Sequence, residues 1–128
     1  MLYKKQTLKS VDRAFEDVQA SVKGHGFGLL HHYDFRKTLA DKGFDLPNEC
    51  LVLEVCNPRQ AAEVLGIDMS LNMALPCRIS IYEDHGKTWI GMVPPTAQLS
   101  LISHDDPRIA EAARAVEQTL KEIIDSAA

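Results

Sequence analysis

Hydrophobic side chains recur every three or four positions in two stretches of the chain, which is the period of an amphipathic helix. The first stretch begins after Ser10, a residue type that caps helices, and ends at Gly24 and Gly26. The second begins at Asp106-Pro107, since proline suits the first helical position. The apolar positions are Val11, Ala14, Phe15, Val18 and Val22, and then Ile109, Ala112, Ala113, Val116, Leu120, Ile123 and Ile124. We therefore predict two helices, each with one buried face.

Five other segments are continuously apolar or alternate between apolar and polar residues, which is typical of β-strands. They are residues 2–7, 27–35, 50–56, 77–83 and 87–93. The last two flank Asp84-His85-Gly86 and are predicted to form a hairpin. The segment 50–56 is strongly apolar and predicts a central strand. Residues 36–42 are predicted as a short helix or turn, and residues 96–104 fit neither period.

Asn57-Pro58 indicates a further helix start. Asparagine caps helices, and proline suits the first helical position because the amide hydrogen that it lacks would have no hydrogen-bond partner there. The buried stripe of this helix is predicted to consist of Ala61, Ala62 and Leu65. Gly66 ends the helix, and residues 67–76 then form a long apolar connection. The large apolar residues of that connection are Met69, Leu71, Met73 and Leu75. We expect a connection of this composition to pack against the rest of the domain or to line a binding site.

The predicted order is strand, helix, strand, strand, short helix, two strands and helix. Runs of strands between helices favour an α+β fold, with a largely antiparallel sheet and helices on one face. No linker, internal repeat or low-complexity segment divides the sequence. Residues 1–128 are therefore expected to form a single domain.

Composition and charge narrow the function classes. The chain is 45% hydrophobic and 25% charged, which is the balance of an ordinary globular domain. Its net charge of −4 gives no basic surface for a polyanion, so we predict no nucleic-acid partner. No apolar run approaches the roughly 20 residues of a membrane span, and the first residues lack the apolar core of a signal peptide. We expect a cytoplasmic protein without a membrane partner.

The cysteines and histidines show no metal-binding pattern. The three cysteines are odd in number and none forms a Cys-x-x-Cys pair, which favours reduced thiols over disulfides or structural zinc. His31 and His32 fall on opposite faces of a predicted strand, and His25, His85 and His104 fall in predicted turns. We expect no metal and no cofactor.

Three short motifs resemble a known family. They are Gly26-Phe27-Gly28 opening the second strand, Cys56-Asn57-Pro58 after the third, and Leu75-Pro76-Cys77 before the fourth. Together they make the chain similar, over nearly its whole length, to domain-of-unknown-function family 302 of bacteria and archaea. The resemblance implies a fold like one half of the TATA-binding protein, a bent antiparallel sheet with helices on one face in the order β-α-β(4)-α. It implies no established activity.

The residues around the short helix are the candidate site. Cys56 and Cys77 bracket this helix and the apolar connection, and a helix start lowers the pKa of a nearby thiol and attracts anions. The alternative is that both cysteines are small buried hydrophobic residues. If a site exists, we expect it between the helix start and the strand beginning at Cys77. Its predicted lining is Cys56, Asn57, Pro58, Met73, Pro76 and Cys77.

Glu54 is the exceptional residue of the third strand. Strand alternation places it on one face with Val52 and Cys56. A carboxylate in an apolar strand must have a charged or hydrogen-bonding partner, be exposed to solvent, or have a raised pKa. It is therefore a candidate general base or ligand-orienting group, or else a solvent-facing residue or an ion-pair partner of Arg78.

These features favour a module that binds a small molecule or a partner, and leave open whether it is an enzyme. The alternative is a thiol-dependent, metal- or haem-assisted redox protein that uses Cys56 or Cys77 with a histidine. Nucleic-acid binding is suggested by the fold analogy alone, and the acidic charge opposes it. A homodimer is also expected, because edge strands are usually covered and because the methionine-rich connection and Trp89 offer apolar area.

Overall fold

The computed structural model describes residues 1–102 and 106–128. Its strands are β1 (Tyr3–Thr7), β2 (Gly28–Asp34), β3 (Cys50–Cys56), β4 (Cys77–Asp84) and β5 (Lys87–Met92). Its α-helices are α1 (Val11–Gly24), α2 (Phe35–Asp41), α3 (Pro58–Ile67), α4 (Pro95–Leu99) and α5 (Pro107–Ala127). A 3-10 helix, Met69–Ala74, follows α3.

The strands form a five-stranded sheet in the order β1-β5-β4-β3-β2, and each neighbouring pair is antiparallel. The predicted α+β fold with helices on one side of an antiparallel sheet is confirmed. β3 lies inside the sheet between β2 and β4, while β4 holds the middle position. The hairpin of β4 and β5 turns at His85 and Gly86, both of which adopt positive φ.

Both long helices begin where the sequence predicts. The Arg13 amide donates to Ser10 Oγ at 3.1 Å, and the Arg108 amide donates to Asp106 Oδ1 at 2.9 Å. These bonds satisfy backbone donors that the first helical turn leaves without partners. The helices pack together on one face of the sheet. The shared core includes the fully buried side chains Ala14, Val18, Leu53, Ile79, Ile81, Ile90, Ile123 and Ile124.

The connection from residue 67 to residue 76 is more regular than predicted. Most of it is the 3-10 helix, and Leu71 within that helix is fully buried. Leu71 belongs to a second, smaller core cluster at one end of the sheet. The other buried members of that cluster are Val64, Leu99, Ile109 and Ala113. Residues of distant segments therefore pack around α3.

In its described part, the ambiguous segment after the hairpin contains one short helix, α4. Pro94 and Pro95 stop the sheet, and Pro95 occupies the first turn of this helix. The prediction for His104 lies outside the described residues. None of the helices among the described residues combines the length and apolar character that crossing a bilayer requires.

Candidate functional site

A pocket opens at the end of the sheet where β3 finishes and β4 begins. Its empty space, the open mouth included, is about 530 Å³. Besides the two strands, α3, α4 and α5 contribute side chains to it. The lining residues are Phe27, Val55, Cys56, Asn57, Gln60, Ala61, Val64, Ala74, Leu75, Pro76, Cys77, Pro95, Gln98, Leu99, Ala112, Ala113 and Val116. Within the described part of the chain, this lining contains no charged side chain and no histidine.

The chain reverses around this pocket by means of two helix caps. Asn57 Oδ1 accepts from the Gln60 amide at 3.2 Å, which starts α3 directly after β3. Asp68 Oδ1 accepts from the Ser70 amide at 2.9 Å and starts the 3-10 helix. The chain then enters β4 through Pro76. These local bonds place both ends of the segment, Cys56 and Cys77, at the same pocket.

The buried face of α3 differs by one residue from the predicted one. Ala61 and Leu65 are half-buried as expected, but Ala62 is exposed and Val64 is buried. The helical period explains the difference, since positions three and four residues apart share a face and adjacent positions do not. Ala61 and Val64 both line the pocket.

The structure brings together four of the seven predicted site residues. Cys56, Asn57, Pro76 and Cys77 line the pocket. Pro58 is exposed and does not line it, because the first residue of α3 faces solvent. Met73 is 73% exposed and also lies outside the lining, while Ala74 and Leu75 fill the place predicted for it.

Glu54, the last of the seven, lies away from the pocket. The strand register pairs it with His31 on one side and Arg78 on the other. Its Oε1 accepts a hydrogen bond from the Tyr33 hydroxyl at 3.0 Å, which raises the pKa of Tyr33. The carboxylate therefore has a tyrosine partner in an exposed hydrogen bond, where the sequence left open a base or ligand-orienting group, a solvent-facing residue or an ion pair with Arg78.

Both pocket thiols are free, and their protonated form is favoured. Burial raises the pKa of Cys56. Burial and the neighbouring Cys56 raise the pKa of Cys77 to about 11. Of the two alternatives that the sequence left open, these raised pKa values favour the buried hydrophobic cysteines over a thiol activated by the start of α3, because burial disfavours the charged thiolate. Burial also raises the pKa of Cys50, at the other end of β3.

We expect Cys77 to react slowly with iodoacetamide in the folded protein, since only about one molecule in 1,000 carries a thiolate there at about pH 8. The rate should rise about tenfold for each pH unit below the pKa. Timed alkylation followed by peptide mass spectrometry measures this rate, and protein unfolded in urea is the control. Equal labelling of Cys77 in the folded and unfolded protein would contradict this expectation.

Gln60 is a pocket residue that the sequence analysis missed. Among the described residues, its Oε1 is the one buried side-chain nitrogen or oxygen without a hydrogen-bond partner. Gln60 is the third residue of α3, where a glutamine side chain often bonds back to the capping residue. Its oxygen makes no such bond. A buried polar atom without a partner costs about 1–3 kcal/mol, so a donor that reached this oxygen would stabilise the protein.

Residues of α4 and α5 were also missed as pocket lining. Gln98 and Leu99 come from α4, and Ala112, Ala113 and Val116 from α5. The apolar period of α5 predicted which face is buried but not what it packs against. Only the proximity of α4 and α5 to α3 reveals this role.

None of the four described histidines, His25, His31, His32 and His85, lines the pocket. His31 contacts Tyr33 at a ring-centroid distance of 4.6 Å, while His32 contacts Phe15 of α1 at 4.9 Å. The two histidines therefore occupy opposite faces of the sheet, as predicted. In residues 1–102 and 106–128, no three His, Cys, Asp or Glu side chains come together as metal ligands.

Comparison with known proteins identifies the family. The family model for Domain of unknown function DUF302 matches residues 3–127. Among solved structures, the crystal structure of an uncharacterized conserved DUF302 protein from Bacillus stearothermophilus is similar, with 31% sequence identity and a TM-score of 0.93. The similarity covers 99% of this chain and 98% of that chain. No curated protein matches. The chain belongs to the DUF302 family.

Proposed function

We propose that this protein is a binding module for a small molecule, which occupies the pocket between β3, β4 and helices α3, α4 and α5. The observation that carries this proposal is a concave, apolar site with one unpartnered buried polar atom. Small-molecule sites are typically clefts lined by apolar side chains with a few polar groups. The lining of this pocket has that composition, since most of its side chains are apolar and its polar side chains are those of Asn57, Gln60 and Gln98 together with two thiols.

Binding fits the lining better than thiol catalysis does. A cysteine acts as a nucleophile or redox group through its thiolate, and burial raises the pKa of both Cys56 and Cys77. Among the residues that the structure describes, the lining also offers no histidine or carboxylate that would take a proton from either thiol. These features count against the thiol-dependent redox alternative.

The proposal predicts that a small apolar probe stabilises the folded protein. Toluene at about ten times its Kd should raise the Tm by about 4 °C, because it binds the folded chain only. Thermal unfolding followed by circular dichroism measures the shift. Native mass spectrometry of the freshly purified protein should in addition show any small molecule that is retained.

Two alanines of α3 provide a matched pair of variants. Ala61 lines the pocket, whereas its neighbour Ala62 is exposed and does not. Ala61→Phe should fill the pocket and remove the toluene shift, while Ala62→Phe should keep it. The proposal fails if toluene leaves the wild-type Tm unchanged, or if both variants keep the full shift.

A further inference from the structure

We propose, building on the binding function above, that the pocket selects a neutral molecule with an apolar body and a hydrogen-bond donor that pairs with Gln60 Oε1. A phenol or an alcohol with a single ring has this chemistry. Three properties of the lining favour this class of ligand.

The first property is the absence of charge from the lining among the described residues. An ionised group moved from water into such a site loses its hydration and gains no partner of opposite charge. Both cysteines are protonated at neutral pH and supply no charge. A carboxylate or ammonium ligand is therefore disfavoured, and this includes the anion that the start of α3 alone would suggest.

The second property is the state of Gln60. Its backbone is fixed, because its amide donates to the Asn57 side chain at 3.2 Å in the first turn of α3. Its side-chain oxygen is buried and has no partner among the described residues. A carboxamide oxygen only accepts hydrogen bonds. The ligand group that satisfies it must therefore donate.

The third property is that each of the other two side-chain amides of the lining already makes one hydrogen bond within the protein. Asn57 Oδ1 accepts from the Gln60 amide at 3.2 Å. The Gln98 side-chain nitrogen donates to the Val93 carbonyl oxygen at 3.3 Å. Gln60 Oε1 thus differs from both of these groups, and it gives the apolar pocket a specific point of recognition.

Four probes of similar shape separate the properties of the ligand. Toluene tests apolar fit alone, p-cresol adds a donor, 4-methylanisole adds only an acceptor, and p-toluate adds a negative charge. At about pH 7 the phenol is neutral and the carboxylate is ionised. Isothermal titration calorimetry of the full-length protein gives a Kd for each probe. We expect p-cresol to bind about tenfold more tightly than toluene, because it satisfies a buried oxygen. We expect 4-methylanisole and p-toluate to bind no better than toluene.

Gln60→Met tests the role of the carboxamide, because methionine keeps the length of the side chain and removes its polar group. This variant should lose the preference for p-cresol, measured as the ratio of its Kd values for toluene and p-cresol. Gln118→Met is the control, because Gln118 is exposed on α5 and lies outside the lining, and this variant should keep the preference. Retained toluene binding shows that each variant is folded with an intact pocket.

The outcomes distinguish this inference from the proposed function. If toluene binds but p-cresol gains nothing, or if 4-methylanisole or p-toluate equals p-cresol, the ligand class is wrong and the binding function stands. If Gln60→Met keeps the p-cresol preference, the assignment to Gln60 is wrong. If no probe binds the wild type, both proposals are wrong.

Discussion

Gly91→Ala is expected to destabilise the protein by about 2–3 kcal/mol, because the added methyl group has no space against β1. An alanine Cβ at this position would lie 2.7 Å from Lys4 Cβ, 3.0 Å from the Tyr3 carbonyl oxygen and 3.3 Å from Lys4 Cα. The first distance is far shorter than the roughly 3.5–4.0 Å at which carbon atoms attract. These are atoms of the backbone or directly attached to it, so β1 as a whole must shift.

A shift of β1 would also disturb its contact with α5. Gly91 pairs with Lys4 in the β1–β5 register. The neighbouring Tyr3 hydroxyl donates to Asp125 of α5 at 2.5 Å, and Lys5 lies 3.7 Å from the same carboxylate. These contacts join the edge strand to the long helix. They should weaken together when the strand moves.

Urea unfolding measures the change in the free energy of unfolding, and Gly66→Ala is the control. Gly66 lies inside α3, and nothing lies within 4 Å of a Cβ added there. Since alanine favours helix by about 1 kcal/mol over glycine, Gly66→Ala should be neutral or stabilising. Equal effects of the two substitutions would show that the contact with β1 does not limit this position.

The fold could be predicted from the sequence because most of its signals are local. Hydrophobic periods of two residues and of three to four residues distinguish strands from helices. Ser10, Asn57 and Asp106 mark helix starts, because each side chain accepts a hydrogen bond from a backbone amide in the first turn of the helix that follows it. The bounds of α4 were not predictable in this way. Pro94 and Pro95 show where the sheet stops, but the Pro94 side chain cannot cap the helix that follows.

The candidate site was predictable only in the part formed by one continuous segment. Cys56, Asn57, Pro76 and Cys77 flank the same reversal of the chain, so their motifs point to one place. Strand alternation put Glu54 on a face with Cys56, but Cys56 ends β3 and reaches the pocket, whereas Glu54 pairs within the sheet. The side of the 3-10 helix that faces inward also depends on packing, which is why Leu71 is buried where Met73 was expected to line the site.

The charge state and hydrogen bonding of the site depend on tertiary structure. A cysteine beside a helix start suggests a lowered pKa until the surrounding apolar side chains are known. In the same way, the sequence alone gives no reason to single out a glutamine in the first turn of a helix. The importance of Gln60 arises because the folded structure buries its oxygen without supplying a donor among the described residues.

Glu117 holds α4 against α5 and thereby maintains one wall of the pocket. The Thr96 amide donates to Glu117 Oε1 at 3.1 Å, and the Thr96 hydroxyl donates to the same atom at 2.6 Å. Lys121 Nζ lies 3.5 Å from the other carboxylate oxygen, and the Glu117 side chain is only 16% exposed. Since α4 has no side-chain cap of its own, this carboxylate satisfies its first turn from outside.

The pKa of Glu117 gives the expected pH dependence. Burial alone would raise this pKa, but the hydrogen bonds from Thr96 and the charge of Lys121 outweigh it and hold the pKa below the ordinary value of 4.5. A carboxyl group whose pKa is lower in the folded than in the unfolded state stabilises the fold fully above the unfolded pKa. That stabilisation is lost as the pH falls from there through the folded pKa.

Glu117→Gln is therefore expected to lower the free energy of unfolding by about 1 kcal/mol at neutral pH, because the glutamine oxygen still accepts from Thr96 but lacks the charge that strengthens these hydrogen bonds. The difference from the wild type should shrink as the pH falls below 4.5, because the wild-type carboxyl group then becomes neutral as well. Urea unfolding at a series of pH values measures both effects. Hydrogen exchange of the α4 amides should show that this helix opens more readily in the variant.

Glu122→Gln is the matched control on the same helix. Glu122 is exposed, and its Oε1 accepts only a long hydrogen bond of 3.4 Å from Gln118. Its replacement should change the free energy of unfolding by less than about 0.5 kcal/mol. A similar loss in both variants, or a loss in Glu117→Gln that does not depend on pH, would show that the Thr96 contact does not hold α4. Because Pro95, Gln98 and Leu99 of α4 line the pocket, weaker toluene binding by Glu117→Gln alone would tie this contact to the binding site.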